Sequence, residues 1–314
     1  MLKSLPQLDD LMFLTDGGIE TTLIFHEGLE LPYFAAFTLL KDPAGRNTLR
    51  RYYERYLEIA ADAGLGFILE SPTWRASPDW AARLNLAPGE LELYNRDAIY
   101  LMRELADAWA HRVPRIVVSG CVGPRGDGYD PGQVMKADEA LAYHREQIAT
   151  LAAAGADMAC AITMTNIPEA IGVVRAARSC GLPVAVSFTV ETDGRLPTGQ
   201  TLEEAIATVD AVTADGPAYY MVNCAHPTHF ADALDLGAPW RKRIRGLRAN
   251  ASKRSHQELN EAPDLDDGDP AELGREHAEI LARHRHIRVL GGCCGTDHRH
   301  VAAMSRACVA VPAE

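Results

Sequence analysis

Short apolar runs alternate with longer stretches in which apolar residues recur every three or four positions, and the alternation continues from end to end. The first reads as a buried strand and the second as an amphipathic helix packed on it. Phe13-Leu14-Thr15 leads into Asp16-Gly17-Gly18, and a helix is expected over Thr48–Ala63, followed by the strand Gly66-Phe67-Ile68-Leu69 ending at Glu70. A helix over Leu93–His111 precedes the strand 115–119, one near Ala137–Ala154 precedes 157–162, and one near Pro168–Ser179 precedes 183–188. Leu202–Thr213 is helical and leads to a strand ending at Cys224; a short helix then precedes 244–249. Ala271–Arg283 is helical, Ile287–Leu290 is the last strand, and Asp297–Cys308 the last helix.

Eight strand–helix units imply a parallel sheet, and the number matches a (β/α)₈ TIM-type barrel, an α/β fold expected as a single domain over residues 1–314. An open doubly wound sheet is the alternative, but no Gly-x-Gly-x-x-Gly follows the first strand. Reactive groups of such barrels collect at the carboxyl ends of the strands. Asp16, Glu70, Ser119, Asn223, Cys224, Asn250, Cys293 and Cys294 all fall there, as do the long connections Ser71–Glu90, Gly120–Lys136, Glu191–Thr201 and Ala251–Asp269. The last, with Asp264-Leu265-Asp266-Asp267-Gly268-Asp269, is acidic enough to be expected mobile until ligand binds. No lysine stands at a predicted strand end, which argues against Schiff-base chemistry.

Composition narrows the class. The formal charge of -12 is not offset by any Lys/Arg cluster, so nucleic acid is not an expected partner. No apolar run approaches the ~20 residues of a membrane helix, and the N-terminus turns acidic at Asp9-Asp10 without a signal-peptide core. A cytoplasmic protein with no membrane partner is expected. Seven scattered cysteines fit reduced thiols better than a disulfide framework.

Three of those thiols carry the candidate chemistry. Cys224 stands where the sixth strand should stop, and Cys293-Cys294 stand directly after the eighth. Adjacent strand residues normally point to opposite faces, but Gly291, Gly292 and Gly295 permit a backbone that turns both thiols to one side. Three thiolates on Zn²⁺ leave a fourth position open, the pattern of a catalytic rather than a structural zinc. Two other readings stand beside it: small buried core cysteines, or a vicinal redox pair.

The segment Gly291-Gly292-Cys293-Cys294-Gly295-Thr296, together with Val222-Asn223-Cys224, resembles the zinc-binding motifs of the homocysteine S-methyltransferase family. Asp16-Gly17-Gly18 with Thr21 resembles that family's first Asp-Gly segment, Glu70 with Thr73 its Glu-Thr-Asn-Thr stretch, and Val122-Gly123-Pro124 its Val-Gly-Pro. Ser187-Phe188-Thr189 with Asp193-Gly194 and Leu196 resembles its strand-five segment, so the likeness runs from about Asp16 to His300. The resemblance implies Cys224, Cys293 and Cys294 as zinc ligands and a homocysteine thiolate in the open position, attacking the methyl group of a sulfonium donor. The leaving thioether is neutral and needs no acid. His226 and His229 are therefore read as structural or surface residues, and the run Arg241–Arg245 as a solvated face.

The donor and the substrate ammonium call for anionic or aromatic partners. Asp16 and Glu70 are expected in that role, with Trp74 facing the sulfonium through a cation–π contact and Trp80 and Tyr129 as further candidates. Asn223, Asn250, Ser119 and Thr163 are expected to bind the amino-acid carboxylate or order the loops. The chain departs from the family in two places. Thr163-Met164-Thr165-Asn166 stands where many members end strand four with Glu-Thr, whose glutamate is expected to hold the homocysteine amine, and Pro72 replaces an Asn. Glu20, close to Asp16, is expected to supply the missing charge. The chain ends soon after the last helix, with no room for folate or cobalamin modules, so S-methylmethionine or S-adenosylmethionine is the expected donor. The expected activity is zinc-dependent methylation of homocysteine to methionine. The alternatives are a different thiol or selenol acceptor, or a zinc- and thiol-binding protein without turnover.

Overall fold

In a computed structural model, which describes residues 4–309 apart from 236, 237 and 263, the eight apolar runs form one closed parallel barrel. The strands are β1 (Phe13–Leu14), β2 (Gly66–Glu70), β3 (Ile116–Val122), β4 (Met158–Met164), β5 (Val184–Thr189), β6 (Tyr219–Asn223), β7 (Ile244–Ala249) and β8 (Val289–Gly292). They pair in chain order, and β1 closes the ring on β8 with Phe13 opposite Val289 and Leu14 opposite Leu290. This is the expected (β/α)₈ architecture; the open-sheet alternative falls because β1 has partners on both edges. The ends of the expected 1–314 span, residues 1–3 and 310–314, lie outside the described residues.

The helices are α1 (Pro43–Ala63), α2 (Pro78–Arg83), α3 (Glu90–Trp109), α4 (Ala137–Ala153), α5 (Ile167–Ser179), α6 (Leu202–Thr213), α7 (Pro227–Leu234), α8 (His256–Glu261), α9 (Pro270–Arg283) and α10 (His298–Val309). Helix α1 begins at Pro43 rather than Thr48. The Asp42 carboxylate accepts from Gly45 N at 2.9 Å, Pro43 supplies a pre-set φ, and Gly64 at φ +66° ends the helix. The connections 71–90 and 251–269 are not plain loops, because each holds a short helix, α2 and α8. Among the described residues no helix is long and apolar enough to cross a membrane.

Two apolar layers hold the barrel. The inner one, with Phe13, Ile68, Val117, Met158, Met221 and Val289, fills the lower barrel; Gln7 closes the floor, donating to Tyr219 Oη at 3.3 Å. The outer layer lies between strands and helices. Gly172 of α5 lets α4 come so close that an added Cβ would stand 2.4 Å from Ala140 Cβ and 2.7 Å from Leu141 N.

One expectation about surface charge needs correction. The run Arg241–Arg245 is not simply a solvated face: Arg243 grips Asp210 with two N–H groups at 2.8 and 2.9 Å, and Arg245 reaches Leu8 O at 2.8 Å. The acidic loop before α9 makes contacts of its own. Ser252 donates to Asp266 at 2.7 Å, Arg299 pairs with Asp267 at 2.7 Å, and Asp269 caps α9.

Gly172→Ala tests the α4–α5 contact. In an open helix this change stabilises by up to ~1 kcal/mol, but overpacking against backbone costs ~1–3 kcal/mol. Thermal unfolding followed by circular dichroism should therefore show a lower midpoint. A raised midpoint would mean that the helices part freely.

Candidate active site

The carboxyl ends of β6 and β8 bring Cys224, Cys293 and Cys294 together, with all three Sγ atoms within 4.8 Å of one another and Cys224 Sγ 3.5 Å from Cys294 Sγ. Cys224 leaves β6 at φ +53°, a left-handed conformation uncommon for a non-glycine residue. That turn carries its thiol toward the barrel axis while its N–H still binds Arg248 O at 3.1 Å. The other two thiols lie on the turn after β8. There Gly295 takes φ +78°, and Cys293 O accepts from Thr296 N and Oγ1 at 3.1 and 2.7 Å. Gly18 presses against this turn so closely that a Cβ would stand 2.6 Å from Cys293 O. Sulfur hydrogen bonds with Cys224 and Cys294 pull the Cys293 thiol well below its usual range, and those with Cys293 and Cys294 push Cys224 up.

The thiols face a cavity of about 400 Å³ with charged walls. At the end of β1, Asp16 accepts from Arg248 Nη2 at 2.6 Å and from Tyr52 Oη at 2.9 Å. Burial pushes the Asp16 carboxyl up, and Arg248 and Tyr52 pull against it. Burial opposes the Arg248 charge in turn, yet Asp16 and then Glu70 hold it well above its usual value. Glu70, at the end of β2, is buried, and its Oε2 has no hydrogen-bond partner. Burial pushes it up to about 7, against the pull of Arg248 and of the Ser119 and Cys160 side chains. Glu20, half-buried at the start of the helical segment after β1, is also pushed up by burial to about 7. At the end of β4 the register shifts between Ala161 and Met164, and Thr163 at φ +62° turns to the cavity.

A loop after β3 covers the thiols. Tyr129 Oη lies 3.1 Å from Cys294 Sγ and 3.8 Å from Cys224 Sγ, and its ring stacks on His256 with centroids 4.0 Å apart. His256 Nε2 donates to Cys224 O at 2.6 Å. Arg75 anchors the same loop through Gly126 O at 2.7 Å and Asp127 at 3.2 Å, with its guanidinium 4.0 Å from the Trp74 ring centre and 3.9 Å from that of Trp80. The site thus combines clustered sulfur donors, buried charges of both signs and aromatic faces, an arrangement suited to a small zwitterionic thiol.

Comparison with known proteins agrees with this chemistry. A sequence profile described as homocysteine S-methyltransferase matches residues 13–308. The chain belongs to the homocysteine S-methyltransferase family. It is 24% identical to homocysteine S-methyltransferase 1 of Arabidopsis thaliana, with 93% of this chain and 92% of that protein covered. It is 26% identical to homocysteine S-methyltransferase 4 of Zea mays, covering 94% and 88%. The fold is similar to the homocysteine methyltransferase MmuM of Escherichia coli. The oxidized form matches with TM-score 0.73 at 20% identity over 96% of this chain and 97% of that one, and the metallated form with TM-score 0.70 at 20% identity over 95% and 96%.

Of the residues expected at the site, Asp16, Glu20, Glu70, Trp74, Thr163 and the three cysteines line the cavity of this family member; Ser119, Asn223 and Asn250 do not. The third strand runs on to Val122, so Ser119 lies a layer below the mouth, fully buried. Asn223 is engaged by its neighbours: its Oδ1 accepts from Ser187 Oγ at 2.6 Å and Thr163 N at 3.0 Å, while its Nδ2 donates to Thr163 Oγ1 at 2.9 Å and lies 3.8 Å from Cys293 Sγ. Asn250 is buried with its N–H on Ala225 O at 3.1 Å. Trp80 packs on Arg75 and Arg83, off the cavity. His226 caps α7 and His229 binds Lys253 O at 3.0 Å, outside the sulfur cluster. Sequence reasoning missed Arg75 and Arg248. The signal for Arg248 was available, since it stands one residue before the end of an apolar strand run where a charge is costly.

Glu70 provides a pH test. Its carboxyl titrates near 7 in the folded chain against an ordinary 4.5, so the folded state keeps a proton that the unfolded state has released. The stability it contributes is complete below about 4.5 and lost as pH rises through about 7. Glu70→Gln should flatten that fall in metal-free protein and raise stability at pH 8 by up to ~3 kcal/mol, read from chemical unfolding at several pH values. An unchanged pH profile would show that Glu70 titrates normally.

Proposed function

We propose that this chain transfers a methyl group from a sulfonium donor to the thiol of homocysteine, giving methionine, with Zn²⁺ held by Cys224, Cys293 and Cys294. The observation that carries the reading is the convergence of three Sγ atoms within 4.8 Å on a cavity wall, with no carboxylate or imidazole in the set. An all-sulfur, three-donor set suits zinc and leaves room for one more ligand. The metallated form of MmuM from Escherichia coli supports metal binding by a related barrel. A bound zinc would lower the pKa of an incoming thiol so that it is anionic, yet nucleophilic, at neutral pH.

The chain's own residues supply the rest. Tyr129 Oη on Cys294 and the Asn223 amide near Cys293 draw charge from those sulfurs and fix their directions. Glu20 and Glu70 give the cavity anionic capacity for an ammonium or sulfonium, and Trp74 offers an aromatic wall. In the transfer a sulfur–carbon bond to homocysteine forms as the methyl–sulfonium bond breaks. The donor keeps the electron pair and leaves as a neutral thioether, so positioning and charge matching dominate. S-methylmethionine and S-adenosylmethionine both fit that class. The proposal takes residues 1–314 as one homocysteine-binding barrel working in the cytoplasm; the seven unpaired cysteines support a reducing compartment. A second reading, methylation of another thiol or selenol, is favoured by Thr163, which puts a hydroxyl where a carboxylate is expected.

The purified, reduced protein should contain one zinc per chain and form methionine from homocysteine with at least one of the two donors. Cys224→Ser should lose most of the zinc and at least 100-fold of the turnover while keeping its circular dichroism spectrum. Full turnover in a zinc-free preparation would sink the reading. Zinc binding with methylation of other thiols but not homocysteine would select the second one.

A further inference from the structure

Two guanidinium groups line the cavity, and each makes two hydrogen bonds to the protein. Arg75 bonds Gly126 O and Asp127 and lies against two indole faces, with its Nε buried and unpartnered; it serves the loop over the thiols. Arg248 is 5% exposed, and its known partners are Asp16 at 2.6 Å through Nη2 and Gly292 O at 3.2 Å through Nε. A guanidinium carries five N–H donors, so three remain, with no hydrogen bond to a described residue. In register, Arg248 lies beside Asn223 and Gly291, just before Cys224 and the Cys293 turn, which places its charge next to the sulfur cluster. Glu70, at the end of β2, is 4% exposed and within electrostatic reach of Arg248; Ser119 and Cys160 lie against its carboxyl, and one carboxyl oxygen is buried and unpartnered.

A buried donor fork and a buried acceptor, both with unused hydrogen-bonding capacity and of opposite sign, imply a ligand that brings the missing partners. An α-amino acid carries a carboxylate and an ammonium on one carbon. Homocysteine holds them two methylenes from its thiol, a reach that suits groups beside the sulfur cluster. Asp16, expected from the sequence as an anionic partner for the substrate, is already paired within the protein. It is the counter-ion that lets Arg248 stay charged in the barrel, with Tyr52 as its second donor.

We propose that Arg248 is a specificity-determining residue that binds the carboxylate of the acceptor amino acid, with Glu70 receiving its ammonium and Asp16 acting only as the positioning counter-ion. The planar fork of Arg matches a carboxylate through two parallel N–H groups, which Lys cannot do. Thiols without a carboxylate leave those donors buried and unpaired, and are rejected for that reason. The assignment rests on the homocysteine reading above.

The test compares homocysteine with 3-aminopropane-1-thiol, the same molecule without its carboxylate, using the zinc-loaded protein and whichever sulfonium donor supports turnover. Wild-type protein should prefer homocysteine by ~100-fold or more in kcat/KM. Arg248→Gln should lose most of that preference through KM for homocysteine, leave the carboxylate-free thiol within about three-fold, and weaken homocysteine binding by calorimetry to the same extent; Arg248→Lys should restore part of it. Asp16→Asn/Arg248→Gln, which leaves no buried charge of the pair unmatched, is read in the same way and covers a fold defect in the single variant. Equal losses for both thiols in the double variant, or a preference retained, would overturn the assignment while leaving homocysteine methylation standing. Wild-type protein that methylates neither thiol would overturn the reading beneath it.

Discussion

Closure of β1 onto β8 is the constraint on which the site depends. The pairing Leu14–Leu290 carries the turn after β1 against the turn after β8, where Gly292 N binds Asp16 O at 2.9 Å, Gly18 N binds Thr296 O at 3.0 Å and Gly295 N binds Thr21 Oγ1 at 3.0 Å. Gly18 can have no side chain because Cys293 O occupies that space. The two ends of the chain are thereby locked at the point where the thiols emerge. An open sheet would leave Cys293 and Cys294 with no wall opposite them and Asp16 with no partner.

The charges inside the barrel depend on that closure in turn. Six carboxyl groups, two guanidinium groups and four thiols line one cavity. Burying such groups is tolerable only when each has a partner, in the protein or in a ligand. Asp16 meets Arg248 and Tyr52, and Arg75 meets Asp127 between two indoles. Glu70 Oε2 and Arg75 Nε have no hydrogen-bond partner, and part of Arg248 is unused. Burial raises the Glu70 carboxyl toward neutrality, against the pull of Arg248, Ser119 and Cys160. An amino-acid ligand would relieve the shortfall at Glu70 and Arg248 from both sides, so recognition and electrostatic strain here have the same origin.

Helix α1 links the layers. Its buried tyrosines sit on one face, where Tyr52 reaches Asp16 and Tyr53 Oη donates to Glu70 O at 2.7 Å. A helix that a sequence reading treats as packing therefore holds two strand ends of the site in place. The Tyr129–His256 stack does the same over the thiols, joining the loop after β3 to α8 through groups that touch Cys294 and Cys224.

The sequence by itself determined the barrel, because eight apolar runs separated by helical periods leave one economical parallel arrangement. It also determined the thiol cluster, because Cys224 and Cys293-Cys294 end two strands that every closed eight-fold ring points to the same rim. Asp16 and Glu70 were legible as strand-end carboxylates and Glu20 as a charge close to Asp16, but their partners were not. Asp16 and Arg248 are separated by 232 positions, and no periodicity or local motif encodes which arginine crosses the barrel to a given carboxylate. Strand length misled for Ser119, since three further residues of β3 set it below the mouth. Asn223 was placed correctly along the chain, yet its amide is taken up by Ser187 and by Thr163, which stands in a left-handed conformation. Local pattern fixes which residues reach the rim. Only the closed structure decides which of them are already satisfied by one another and which still face the cavity with a charge or a hydrogen bond to give.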